Sequence, residues 1–433
     1  MEWIDKVLTT RLKRKTQTCK VYEVKVDVSS LSQKTLKHLD SIFVEAKWFY
    51  NYALSQKNIN DTNATTKSVP VKVKGIFEMR DFKTLKSHMK QGIKKRIFTS
   101  LKSLSTKKKQ GKKVGWLKFK SHINSIPLPE YGYGNDYDIN FEKSTIRLAG
   151  LKQKLKVNGL NQIPKEAEIV NAHFIKNDNN YYFHITTFTS KVEKVVPETS
   201  IGIDFGCTTQ LSLSDGTKIE FQVPVSERLK RLDRKISKKV NGKIGKNRHS
   251  KNRSKLQAKR RKEYLRLTNK KKDIRNKVIN AITSNFKYVC FQDESIKGWM
   301  TSGHGKKIQN SGIGGIIRDL KTKSHTPIEV DKMFPSTQLC PKCGEKTKHL
   351  QEERVYCCKE CQYQEDRDFH AAKNIEIEGL KKYNESCIIK KNKVKIPGDN
   401  RNFKIEEISS NTCFDTLNKI SGIKVGKKRS LSQ

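Results

Sequence analysis

The pattern of apolar and polar positions divides the chain into stretches of different period. Residues 20–28 (KVYEVKVDV) alternate, which predicts a strand. Leu36, Leu39, Phe43, Ala46, Tyr50 and Ala53 then recur at three and four, the stripe of an amphipathic helix. Leu85, Met89, Ile93, Ile97, Leu101 and Leu104 do the same, and the polar stretch NINDTNATTKS between the two stripes predicts a loop. Region 31–112 therefore reads as a small helical module whose apolar stripes are core packing. From 114 to about 190 the period is two again: VGWLKFKS, TIRLAGLKQKLKVNG, AEIVNAHFIK and YYFHITTF read as strands, with a turn at 177–180. In the first of these Trp116, Lys118 and Lys120 share a face. That face suits nucleic acid, the ring stacking on bases and the ammoniums meeting phosphate. It equally suits a solvated strand with a half-buried Trp.

The strongest strand signal is SIGIDFG at 200–206, where Ile201, Ile203 and Phe205 point one way and Gly202, Asp204 and Gly206 the other. QLSLS, a tight turn at Asp215-Gly216 and TKIEFQV complete a three-stranded meander. A basic helical hairpin follows, broken near NGKIGKN: Arg228 to Lys277 holds 23 Lys or Arg against three acids, Asp233, Glu263 and Asp273. Charge runs are usually solvated faces, but this density calls for phosphate nearby. KYVCFQDE at 287–294 reads as a buried strand with Glu294 at its tip. Meander, helix, strand and later helix is the plan of an RNase H-like α/β domain, and it also fits other mixed sheets.

Composition narrows the classes. The 433 residues carry 90 Lys or Arg against 44 Asp or Glu, a balance of +46. Such a surface repels itself unless a polyanion neutralises it. The length allows about two to four domains. No run of about 18 apolar residues exists, so a membrane span is not expected. The start, MEWIDKVLTTRLKRK, lacks the apolar core of a secretory signal, so export is not expected either. With 18 Phe, 13 Tyr and 4 Trp, the chain has the core-formers to fold. The Lys-rich stretch after about 383, ending GKKRSLSQ, is expected to be disordered.

Three acids stand out on apolar elements. Asp204 lies on the meander's first strand, Glu294 ends a buried strand, and Asp368 opens DFHAAKNIEIEGL, a helix with Ala371, Ala372, Ile375 and Gly379 on its buried stripe. A charge aimed at a core is costly unless paired or metal-bound, so three such acids suggest a shared cation. Phosphodiester cleavage needs this: two Mg²⁺ about 3.5–4 Å apart hold the attacking water and the leaving oxygen. Mg²⁺ prefers hard carboxylate oxygens.

Ten cysteines sit at 19, 207, 290, 340, 343, 357, 358, 361, 387 and 413. Cys340-Pro-Lys-Cys343 and Cys358-Lys-Glu-Cys361 form two C-x-x-C knuckles, the first followed by Gly344. Four thiolates so spaced suit one tetrahedral, structural Zn²⁺. Cys358 is preferred over Cys357, whose frame meets Glu360 in place of a second thiol.

The order GIDFG, basic helical hairpin, FQDE, FPSTQLCPKCG, ECQYQEDRDFHAAKNI resembles the TnpB proteins of insertion sequences and their relatives, the compact type V CRISPR effectors and Fanzor. The likeness is specific from about 200 to 380 and weaker over 20–199. It implies a multidomain α/β plus β protein. An N-terminal wedge β-barrel domain would take 1–30 and 113–199, with a helical recognition module, 31–112, inserted. A RuvC-like (RNase H-like) nuclease domain would take 200–335 and 365–382, split by a zinc ribbon at 336–364, with a basic tail at 383–433. It implies an RNA-guided DNA endonuclease that recognises a motif beside its target and opens the duplex to an RNA–DNA hybrid. The catalytic acids would be Asp204, Glu294 and Asp368 (not Asp366), holding two Mg²⁺, and the zinc ligands Cys340, Cys343, Cys358 and Cys361. Partners would be guide RNA and double-stranded target DNA, with a monomer or homodimer on one guide RNA and no membrane. The expected place is the cytoplasm or nucleoid of a prokaryotic host, or the nucleus of a eukaryotic one. Tyr50, Asn51, Trp116, Lys118, Lys120 and Arg367 are the candidate nucleic-acid contacts. His370 departs from the family, which usually has an Asn there to orient nearby backbone or an active-site carboxylate. The alternatives are a guide-directed regulator that never cuts and a transposase or transposon accessory protein.

Overall fold

The computed structural model describes residues 2–73, 75–132, 134–178, 180–191, 196–239, 250–350, 353–393, 417 and 423–427. The chain divides into two compact units, Met1–Glu193 and Lys194–Gln433. No helix among the described residues is long and apolar enough to cross a membrane.

The first unit is built on a seven-stranded antiparallel sheet. Its order runs Ser125–Leu128, Glu168–Asn177, Asn180–Ser190, Gln17–Val26, Leu155–Asn158, Thr145–Leu148, Tyr137–Asn140. The order has two terminal strands, Ser125–Leu128 and Tyr137–Asn140. Both helical stripes form: Gln33–Ser55, capped by the Ser32 hydroxyl accepting from the Thr35 N–H, and Ser87–Lys109. Their apolar faces and the sheet share one core, in which Phe43, Phe174, Tyr181 and Phe183 meet as aromatic neighbours.

Two expectations fail here, and one helix was not anticipated. The region between the stripes holds a β-hairpin, Ser68–Val73 with Ile76–Asp81, so 31–112 is not purely helical. A helix, Glu2–Lys15, precedes the first strand and is tied down by Lys13 and Arg14 on Glu168. VGWLKFKS is not a strand: residues 112–120 carry no regular structure, because no strand among the described residues takes up their backbone.

The second unit holds a six-stranded mixed sheet, ordered Thr326–Val330, Tyr288–Gln292, Ser200–Phe205, Leu211–Leu213, Thr217–Phe221, Ile423–Lys427. The first three strands are parallel and the last four antiparallel. Ile201, Ile203 and Phe205 join a core with Ile274, Val278 and Ile282 of the long Lys251–Asn285 helix and with Ile313–Lys323 residues Ile316 and Leu320. On the other face the Arg367–Lys393 helix buries Ala371, Ala372 and Ile375. It comes so close that a Cβ on Gly202 would stand 2.0 Å from the Ala372 carbonyl oxygen. Only glycine permits that approach.

The basic hairpin forms as Glu227–Lys238 and Lys251–Asn285; its expected break at 241–247 lies outside the described residues. Its three acids are spent on holding it together. Asp233 pairs with Arg260, Glu263 with Arg228 and Arg266, and Asp273 with Lys277. The expectation of a disordered tail from 383 also fails: the last helix runs to Lys393, and Ile423–Lys427 pairs with Thr217–Phe221 at the sheet edge. Of the rest of that tail only Leu417 is described, buried in the second unit's core.

Candidate metal and acid site

The metal-ligand geometry is plainest at the cysteines. Each knuckle is closed by backbone bonds: the Gly344 N–H donates to the Cys340 carbonyl at 3.0 Å, and the Cys358 N–H to that of Tyr363 at 2.9 Å. Gly344 takes φ 78°, the left-handed conformation this turn requires. The sulfurs of Cys340, Cys343, Cys358 and Cys361 all lie within 4.8 Å of one another. Two pairs stand at 3.6 Å (Cys340, Cys361) and 3.5 Å (Cys343, Cys358). A disulfide would need about 2.05 Å. Zinc–sulfur bonds of about 2.3 Å in a tetrahedron put sulfurs about 3.8 Å apart, so this donor set fits zinc. Backbone N–H groups of Cys361 and Glu360 lower the Cys358 thiol to about 6, towards the thiolate a metal needs. Cys357 stays outside the cluster, its sulfur 3.6 Å from the Gln364 amide nitrogen.

The ribbon-like segment is wired to the last helix. Val355–Cys357 pairs with Gln364–Asp366, and the helix begins at the next residue, Arg367. Tyr356, fully buried, stacks on His370 with ring centres 3.6 Å apart. Burial pushes the His370 imidazole down to about 4, so it packs as a neutral ring. The backbone-holding role assigned to the family's Asn at 370 is filled one turn later. Asn374 donates to the carbonyls of Ser336 and Leu339, both at 2.7 Å.

Asp204, Glu294 and Asp368 come from three core elements. Asp204 is the fifth residue of Ser200–Phe205, Glu294 lies two past Tyr288–Gln292, and Asp368 is the second residue of its helix. Burial first, then the carboxylates of Asp368 and Glu294, push the Asp204 carboxyl up to about 8; Arg367 and the Phe205 N–H pull against this. Burial also raises Glu294, with Lys332 opposing. Among the described residues only the four cysteines form a group of three or more ligands within 4.8 Å, so these acids are spread wider. Two ions about 3.5–4 Å apart, with bonds of about 2.1 Å, reach carboxylate oxygens up to about 8 Å from one another.

Asp366 is separated from Asp368 by its task. Its Oδ1 accepts the N–H of Asp368 at 3.0 Å and of Phe369 at 3.4 Å, capping the helix. Lys218, which sequence reasoning missed, donates to Asp366 and stands 3.4 Å from Asp368 Oδ2. Arg367 donates to the carbonyls of Leu350 and Glu353.

The other candidate contacts lie in the first unit. Tyr50 is buried with the Lys120 ammonium 4.3 Å from its ring centre, and Asn51 exchanges two hydrogen bonds with the Lys120 backbone. Trp116 is 92% exposed and Lys118 is exposed.

Comparison with known proteins bears on part of the second unit. A family profile, the Cas12f1-like TNB domain, matches residues 318–375, the stretch that holds the four cysteines and Asp368. A Streptomyces pristinaespiralis protein named as a candidate RNA-guided DNA endonuclease is 24% identical over 280 residues, covering 62% of this chain and 67% of that one. A TnpB-like protein of Acanthamoeba polyphaga mimivirus is 25% identical over 229 residues, covering 49% of this chain and 43% of the viral one. The chain is similar to TnpB-like proteins and, over 318–375, to the Cas12f1-like TNB domain. It thus spans about two thirds of its bacterial relative and under half of the viral TnpB-like protein. A cryo-EM structure of a Cas12f1–sgRNA–target DNA complex aligns with a TM-score of 0.39 at 14% identity, over 67% of this chain and 71% of that one. The four-cysteine cluster lies inside the matched TNB region.

Proposed function

We propose that this protein is an RNA-guided DNA endonuclease whose RuvC-like site cuts both strands of a target selected by guide pairing and an adjacent motif. One observation carries the reading. Burial on a core strand, and then the carboxylates of Asp368 and Glu294, push the Asp204 carboxyl up to about 8. Three carboxylates crowded together in a chain of net charge +46 have little other use than binding divalent metal beside a polyanion. The order of the second sheet, an antiparallel meander followed by two parallel strands, supports the RNase H-like assignment. The ribbon's place between Val330 and Arg367 supports a split nuclease domain.

Asp204, Glu294 and Asp368 would hold two Mg²⁺, which when bound polarise the phosphodiester and lower the pKa of the attacking water. Asp204 releases its proton as the site fills. The half-buried setting of the three acids keeps bulk water from competing for them. Cys340, Cys343, Cys358 and Cys361 would hold one Zn²⁺ with a closed, structural role. The wedge and helical modules of the first unit and the basic hairpin of the second would read backbone and shape, sequence being delegated to the guide. Asn51, Trp116, Lys118, Lys120 and Arg367 remain the proposed contacts, whereas Tyr50 is buried in the first unit's core and packs instead. Arg367 would act through the ribbon backbone it already holds.

The test is cleavage of a target plasmid in Mg²⁺ by the protein purified with the RNA it retains. Asp204→Ala is expected to bind the same target and leave it intact. Cutting at the wild-type rate by that variant removes the claim. A regulator would bind without cutting in the wild type, and a transposase would need transposon ends and no RNA.

A further inference from the structure

Register puts Lys218 in one row with Asp204. Asp204 pairs with Ser212, and Ser212 with Lys218. Directly opposed residues of antiparallel strands share a face, so Lys218 stands on the face of Asp204, two strands over. Its side chain is 26% exposed. The ammonium donates to both oxygens of Asp366, at 2.8 and 3.0 Å, and reaches Asp368 Oδ2 at 3.4 Å. It also lies 4.9 Å from the centre of the Phe369 ring. Asp366 caps its helix through Oδ1, and a cap needs no lysine. The lysine therefore answers a different need: two carboxylates two residues apart, beside a third and a fourth.

We propose that Lys218 is a positioning residue that sets the charge balance and orientation of the divalent-metal site. It cancels Asp366, so that metal is drawn to Asp204, Glu294 and Asp368. It also restrains Asp368 by Oδ2 and leaves Oδ1 to face the metal. The inference rests on the reading of Asp368 as a metal ligand. Removing the ammonium leaves Asp366 uncompensated beside Asp368, which attracts divalent cation more strongly and away from Asp204. Replacing Asp366 by Asn keeps a good cap but shifts the lysine wholly onto Asp368, which weakens metal binding. The two changes together restore the balance.

The experiment is a Mg²⁺ titration of thermal stability, on the full chain with zinc retained, for wild type, Lys218→Met, Asp366→Asn and the double variant. Half-saturating Mg²⁺ is expected to fall about fivefold in Lys218→Met, rise about fivefold in Asp366→Asn, and return to within about twofold of wild type in the double variant. With guide and target, Lys218→Met is expected to cut about tenfold more slowly at saturating Mg²⁺, despite its tighter metal. A lower Tm with unmoved half-saturation in Lys218→Met would mean a merely structural tie and overturn the proposal. So would a rise in its half-saturation, or no Mg²⁺ response in the wild type. If Lys218→Met fails to fold, the direction of the Asp366→Asn shift decides. Failure of the nuclease reading looks different: the wild type shows these Mg²⁺ shifts but does not cut.

Discussion

Asp204→Asn is expected to stabilise the metal-free chain. The carboxyl titrates at about 8 in the folded protein against 3.8 for an ordinary aspartate. Between those values the unfolded chain has released a proton that the folded chain still holds. The contribution of Asp204 to stability is thus fully present below the lower value and is lost as pH rises towards the upper one. At about 1.36 kcal/mol per pH unit, burial and the neighbouring carboxylates together cost up to about 4 kcal/mol at pH 7. The amide carries no charge and escapes that cost, but must find new hydrogen bonds, so a net gain of about 1–3 kcal/mol is expected. For a unit of this size that is a rise of about 2–4 °C in Tm per kcal/mol. The assay is thermal unfolding of the full chain from pH 6 to 9, with divalent cations other than zinc removed. The gap between variant and wild type should widen with pH up to about 8 and then level off. Added Mg²⁺ should close it by stabilising only the wild type. A gap independent of pH, or a variant less stable than wild type throughout, would refute the raising of the Asp204 carboxyl by burial and its acidic neighbours.

Two further outcomes follow from the same geometry. Cys358→Ser is expected to release zinc, expose Tyr356 and abolish cleavage while leaving the first unit's melting transition in place; metal analysis and two-transition melting check this. Replacing Lys255, Lys259 and Lys262 by Ala, all exposed at helical spacing on the Lys251–Asn285 helix, is expected to weaken RNA and DNA binding and to reduce the slope of log K against log salt by about 0.7–0.9 for each phosphate no longer neutralised. An unchanged slope would place those lysines away from phosphate.

What the sequence disclosed was local. The alternation of SIGIDFG placed Gly202 and Asp204 on the face that the last helix covers, and cysteine spacing alone identified the ligand set and excluded Cys357. What escaped depended on partners distant in the chain. VGWLKFKS alternates as well as any strand, but alternation predicts a strand only where a neighbour takes the hydrogen bonds. The Ser68–Asp81 hairpin was hidden because its second strand, with Ile76, Phe77 and Met79, is exposed on both faces and shows no buried period. Lys218 is one of 90 basic residues, and nothing in its neighbourhood of the chain distinguishes it. Its role emerges only when the turn at Asp215 and Gly216 fixes which residue lies opposite Ser212. Ile423–Lys427 was lost in a Lys-rich stretch and joins the sheet only through pairing with Thr217–Phe221, the strand that carries Lys218.

The placement of the cysteine ribbon makes the acid site depend on a metal that takes no part in its chemistry. Cys357, next to the ligand Cys358, pairs with Gln364, and two residues later Asp366 caps the helix that bears Asp368. Asp366 in turn is gripped by Lys218, on the strand two over from Asp204. The helix start is thus fixed from both sides, by the ribbon strand and by the meander, while the Tyr356–His370 stack fixes its rotation. Structural zinc contributes about 10–16 kcal/mol to such small modules, more than the whole stability of many domains. A cost of up to about 4 kcal/mol at Asp204 is small beside that. Zinc held by the four thiolates would therefore supply, from outside the acid cluster, energy that could offset the cost of burying Asp204 beside Asp368 and Glu294 before any divalent cation arrives.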